Sequence, residues 1–137
     1  MGAQTMTNAD LDRHQPRALA VLRIMTGLLF LAHGTQKFLS FPDGKFAGIG
    51  PSFSGLGAYA GLIELVCGAL IAIGLLTRAA AFLASGTMAA AYFIAHAPQS
   101  FHPINNGGET AILFCFVFLY LVFAGPGAWS FDGVRRR

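Results

Sequence analysis

Charge is what this sequence has least of: Asp, Glu, Lys and Arg make up 11% of 137 residues, while 55% are hydrophobic. A soluble domain carries about 25% charged residues, so that class is excluded and a lipid bilayer is the expected solvent. Cysteine is scarce as well. The two present, Cys67 and Cys115, stand singly inside apolar runs, which excludes a CxxC redox motif and a zinc knuckle and leaves them as small packing residues. No glycine cluster sits in a strand-to-helix turn, so a flavin or nicotinamide fingerprint is missing. No repeat at a solenoid period is visible. The net charge of +3 is arginine-based, and the RRR at 135–137 is too short and too near an apolar run to read as a nucleic-acid site.

What the chain does have is four apolar stretches, 18–38, 56–76, 79–97 and 108–124. Crossing a hydrocarbon core takes roughly 20 residues; the first three suffice and the fourth is short by about one turn. Asp10 and Asp12 precede the first run, which is also too long for a cleavable signal. Arg13, Arg17, Arg23, Arg78 and Arg135 to Arg137 fall on the side holding both termini, Lys37 and Lys45 on the other. That asymmetry predicts cytoplasmic termini. The expected fold is all-α, a polytopic four-helix antiparallel bundle in the cell's inner (plasma) membrane. A loosely ordered polar segment is expected over 1–17, the membrane domain over 18–132 and a basic tail over 133–137.

Local signals refine this plan. The Gly-, Pro- and Phe-rich stretch 39–55 is expected to lie along the outer interface, and Thr77 with Arg78 to form the hairpin between the second and third helices. Pro98 ends the third helix. Asn106 followed by Glu109 reads as a capping box opening the fourth, and Gly125-Pro126-Gly127 stops it. Trp129 is the expected inner-interface anchor. Arg78 is expected to pair either with Asp132 or with carbonyls at the end of the fourth helix.

Three polar residues interrupt the first span at its outer end, in LLFLAHGTQKF: His33, Gln36 and Lys37. Gly57, Gly61, Glu64 and Gly68 follow one another at steps of four, three and four, one face of the second helix. Glycines on such a face let membrane helices approach closely, so Glu64 faces protein, roughly 12 Å along the axis from Leu56. A carboxylate at that depth needs a partner, and the antiparallel arrangement offers the first helix. Tyr92, His96, His102, Asn106 and Glu109 reach the same outer end. The nine residues His33, Gln36, Lys37, Glu64, Tyr92, His96, His102, Asn106 and Glu109 are the candidate ligand-binding set. The bland readings are a snorkelling Lys37, a capping Glu109 and an interface-anchoring Tyr92. No His pair has the i, i+4 spacing of a helical metal motif, and no metal site is predicted. Phe116, Tyr120 and Phe123 share one face of the fourth helix, for lipid contact or for flanking a flat ring.

HGTQKF, LIELVCGALIAIGLLTR, YFIAHAPQSFHPINNGGE and GPGAWSFD resemble, in order and spacing over 17–132, the DoxX family of small four-helix membrane proteins. The resemblance implies a link to membrane redox complexes, since relatives include membrane subunits of a thiosulfate:quinone oxidoreductase. A quinone is then the candidate cofactor, none being expected to be covalently attached, with the bilayer and other redox-complex subunits as partners. In this reading His33, His96 and Lys37 donate to a quinone oxygen or an oxyanion, and Glu64 carries a proton. The alternatives are a non-catalytic assembly subunit whose polar cluster fixes helix register, and a small-solute carrier.

Overall fold

The computed structural model describes residues 5–41 and 55–136. These are helical, with no strand among them: α1 (Asn8–Leu39), α2 (Leu56–Ile73), α3 (Thr77–Ala91) continued by a π-helical turn at Tyr92–His96, α4 (Pro103–Asn106), α5 (Glu109–Ala124) and α6 (Phe131–Arg135). Among the described residues three helices are long and apolar enough to cross a membrane: α1, α2, and α3 with its π turn. At 16 residues, α5 is apolar but shorter. The expected interfacial loop falls mostly on 42–54, outside the described residues.

The start of α1 corrects one expectation. Residues 8–17 are helical rather than loosely ordered, because Thr7 and Asp10 close a capping box: Thr7 Oγ1 accepts from the Asp10 N–H at 3.2 Å, and Asp10 Oδ2 from the Thr7 N–H at 3.0 Å. Such a cap needs no apolar periodicity to start a helix. The Thr7 hydroxyl, then its N–H, hold the Asp10 carboxyl below its ordinary value.

Two glycines on each helix, seven residues apart, bring α1 and α2 together. A Cβ at Gly27 would lie 2.7 Å from the Ala72 nitrogen, and one at Gly68 2.7 Å from the Leu31 nitrogen. Gly34 meets Leu65, and Gly61 meets Phe38. As the numbers on α1 rise those on α2 fall, so the pair is antiparallel. Beside this seam Phe30, Phe114 and Phe118 form a ring cluster with centroids 4.8 to 5.6 Å apart, joining α1 to α5. Helix α3 packs on α5 through Ala81, Ala84, Ser85 and Met88. Ser85 Oγ donates to the Cys115 carbonyl at 2.8 Å. Phe116, Tyr120 and Phe123 form an exposed stripe on α5, which is the lipid-contact reading.

At the opposite end from His33, residues 125–132 strap the helices together. The turn between α2 and α3 is Gly74 to Leu76, not Thr77 and Arg78, because Asp132 caps α3 from outside. Its Oδ1 accepts from the Leu76 N–H at 2.8 Å and its Oδ2 from the Thr77 N–H at 2.9 Å. Its own N–H donates to the Gly74 carbonyl at 2.9 Å. Gly74 has φ +74, and a Cβ there would strike Ser130. Leu76 and Trp129 also stand in the left-handed region, φ 51 and 52, at roughly 1–2 kcal/mol each. Hydrogen bonds hold them there. Arg78 Nη1 donates to the carbonyls of Val122 and Phe123 at 2.7 and 2.8 Å, the second of its two expected partners. Arg23 is fully buried and donates to the carbonyls of Pro126, Ala128 and Trp129.

Two outcomes follow from this packing. Gly68→Ala must push α1 away and is expected to cost about 1–3 kcal/mol, whereas Gly86→Ala, on α3 with open space around it, should be neutral or gain up to about 1 kcal/mol in helix propensity; unfolding in detergent titrations compares them. Burial raises the Asp132 carboxyl, but hydrogen bonds from Thr77 and Leu76, with Arg135 nearby, outweigh it and hold it below its ordinary value. The cap is therefore fully present above about pH 3.9 and is lost as pH falls through the lower folded value. Asp132→Ala should cost about 1 kcal/mol at neutral pH, with the gap to the parent closing in acid, read by thermal unfolding at both.

Candidate functional site

Glu64 is buried, with 3% of its side chain exposed, and its Oε1 accepts from Lys37 Nζ at 2.6 Å. The partner required of α1 is thus Lys37, which is 25% exposed. The α1–α2 glycine seam sets this pairing: Gly61, three residues before Glu64, packs against Phe38 and the Lys37 stem. A lysine that might have snorkelled is held inside because its counter-charge lies there. Glu64 Oε2 is buried with no hydrogen-bond partner among the described residues.

The pair opens on a cavity of about 300 Å³ between α1, α2, α3 and α5. Four of the nine candidate residues, His33, Lys37, Glu64 and His96, line it, with Phe30, Met88, Thr110 and Phe114 among the others. Each histidine is held by a backbone carbonyl. His33 Nδ1 donates to Leu29 O at 2.8 Å and His96 Nδ1 to Asn106 O at 3.0 Å. A carbonyl only accepts, so Nδ1 carries the hydrogen in both rings, and the neutral rings keep a lone pair on Nε2. The π-helical turn carries His96, as such turns often carry functional side chains. The His33 ring also stands edge-on to Phe114, centroids 5.5 Å apart.

The other five candidates lie outside this cavity. Asn106 is buried, and its side chain is spent on the loop: Nδ2 donates to the Ser100 carbonyl at 3.0 Å and to the Tyr92 hydroxyl at 3.3 Å, while Oδ1 accepts from the Gly108 N–H at 2.8 Å. It therefore opens no capping box with Glu109. Helix α5 begins at Glu109 after Gly108, without a side-chain cap. Asn106 and Tyr92 position His96 instead. His102 is exposed beside Phe101, Glu109 is exposed in the first turn of α5, and Gln36 is half-buried. Their residue types suggested chemistry, but helix phase and the short α4 turn them elsewhere.

Residues that sequence reasoning passed over complete the walls. Phe30, Met88, Ala111 and Phe114 looked like ordinary core. Arg23 was read only as a topogenic charge. The signal for its burial was its place inside an apolar run, matched by a Gly-Pro-Gly turn with free carbonyls.

A chain whose described residues are helical, with span-length apolar helices and a buried ion pair beside a polar cavity, is an integral membrane protein. It belongs to the DoxX family, whose model matches residues 18–97. That match is narrower than the resemblance read over 17–132, yet it contains His33, Lys37, Glu64 and His96. An uncharacterised protein of Haemophilus influenzae is 44% identical over 126 residues, covering 90% of this chain and 94% of its own. An uncharacterised membrane protein of Mycobacterium tuberculosis is 31% identical over 132 residues, covering 85% and 80%. No solved structure matches.

Removing one partner of a buried pair strands the other. Lys37→Met is expected to cost about 3 kcal/mol, and adding Glu64→Gln to it should restore most of that. A double-mutant cycle read by denaturant unfolding measures the coupling, expected above about 1 kcal/mol.

Proposed function

We propose that the chain is a quinone-binding component of a membrane redox system, spanning the inner membrane four times with both termini in the cytoplasm. The observation that carries the reading is the cavity of about 300 Å³ holding the Lys37–Glu64 pair with His33 and His96. Its size is at the lower end of the usual range for small-molecule sites, about 300–1,000 Å³. Lys37 Nζ has N–H groups beyond the one given to Glu64, so it is the residue to hold a ring oxygen. The quinone supplies the redox chemistry; this chain supplies charge, hydrogen bonds and exclusion of water. The arginine bias toward the end holding α6 and the start of α1 supports cytoplasmic termini. A fourth crossing by α5 follows if the polar interface makes up its missing turn.

A second reading has its own observation. The ion pair is seated on the glycine seam and fixes how α1 registers against α2, which is what an assembly subunit without chemistry would also need. Mass spectrometry of the protein purified in mild detergent separates the two. The redox reading expects a co-purifying quinone that is lost from Lys37→Met, while a stoichiometric partner subunit with no quinone establishes the assembly role.

A further inference from the structure

A second cavity of about 380 Å³ lies between α2 and α3, toward the end away from their hinge. Its walls are apolar and small, including Gly57, Ala60, Ile63, Ala90 and Ala95. Tyr59 and Ile94, also on its lining, are 69% and 59% exposed, so it gives onto the surface that meets lipid. Three residues, Lys37, Ala91 and His96, line both this cavity and the polar one. The two spaces therefore adjoin, one polar and lined by four helices, the other apolar and facing lipid.

The polar space is rich in acceptors. A neutral His33 or His96 ring whose Nδ1 donates to a carbonyl keeps a lone pair on Nε2, and both rings line the space. Lys37 is the donor. A ring carbonyl only accepts and so satisfies Lys37 alone. A ring hydroxyl accepts from Lys37 and can also donate, to the Nε2 lone pair of a neutral His33 or His96.

We propose that the two cavities form one amphipathic site: a hydroxyl-bearing ring occupies the polar space, and its apolar chain runs past Ala91 and leaves to the lipid between α2 and α3. Resting on the quinone reading, this assigns the site to the reduced, hydroxyl-bearing form rather than the oxidised one, and gives the lateral gap as the route of entry.

The test is equilibrium binding to the detergent-purified protein under anaerobic conditions, with a decyl-substituted hydroquinone, the matching decyl quinone, and the hydroquinone without its tail. The tailed hydroquinone is expected to bind at least about tenfold tighter than the quinone, because a site built to accept hydroxyl protons rejects the analogue lacking them. His96→Phe should narrow that ratio. Ala60→Phe, which fills the apolar gap, should weaken the tailed hydroquinone about tenfold or more and leave the tail-less one within about twofold. Retained tail-less binding also reports that the variant folds, and Ala95→Leu is the second variant if Ala60→Phe does not. Equal binding of hydroquinone and quinone overturns the assignment to the reduced form while the quinone reading stands. Equal loss of tailed and tail-less probes, or loss of neither, overturns the lateral route. If none of the three probes binds, the quinone reading falls and this proposal with it.

Discussion

Where α1 and α2 cross at Gly27 and Gly68, there is no space for even a methyl group on either helix. That contact fixes both the separation and the register of the two helices. With the register set, Lys37 has one place to put its ammonium, and Glu64 one cation to face. The aromatic cluster of Phe30, Phe114 and Phe118 then seats α5 against the seam, and the cavity is the space left over. The polar site is therefore a product of close backbone packing, and its charges occupy a position that apolar contacts chose. Dispersion and backbone proximity are the available attractions here, because lipid tails are as apolar as the side chains they would displace.

The strap at the other end works by different physics. Arg23, Arg78 and Asp132 bond to backbone groups at helix ends and turns, where carbonyls and N–H groups go unpaired within the helix itself. Leu76 and Trp129 tolerate left-handed backbones because these bonds over-determine the turn. Two ends, two strategies: a knot tied by side-chain bonds to backbone groups, and a cavity beside an ion pair; each keeps buried polar atoms unpaired among the described residues, Arg23 Nε and Thr77 Oγ1 at the first and Glu64 Oε2 at the second. Strain and unsatisfied polar atoms gather where surrounding structure can support them.

Much of this was legible in the sequence where one helix phase decides the matter. The steps of four, three and four from Gly57 to Gly68 placed Glu64 on the packed face and demanded a partner from α1, with His33, Gln36 and Lys37 left as the choices until the structure paired it with Lys37. The carbonyls at the end of α5 were a foreseen partner for Arg78. What stayed hidden depends on how distant segments meet. Arg23 resembled any topogenic arginine until the turn at Pro126 closed over it. Asn106 looked like a cap, yet its amide is consumed by Ser100, Tyr92 and Gly108. The hinge looked like Thr77 and Arg78 because Asp132, 55 residues later, had not yet been seen to cap the helix there. Gln36, His102 and Glu109 had the right chemistry and the right membrane end, but the phase of their helix or loop turned them away from the cavity.

Arg23 has a consequence in time as well as in space. Its guanidinium sits in the first helix, while the carbonyls that hold it come 103 to 106 residues later. During synthesis α1, α2 and α3 emerge before residues 126–129 exist, so for most of translation a bare cation stands where the finished protein has one bonded to three carbonyls. The nascent chain must keep that end of α1 in contact with water or lipid head groups, and only arrival of the Gly-Pro-Gly turn lets it draw inward. A chain released before Pro126 would carry an uncompensated charge against apolar helices, so the last strap to be made is also the one that lets the first helix settle.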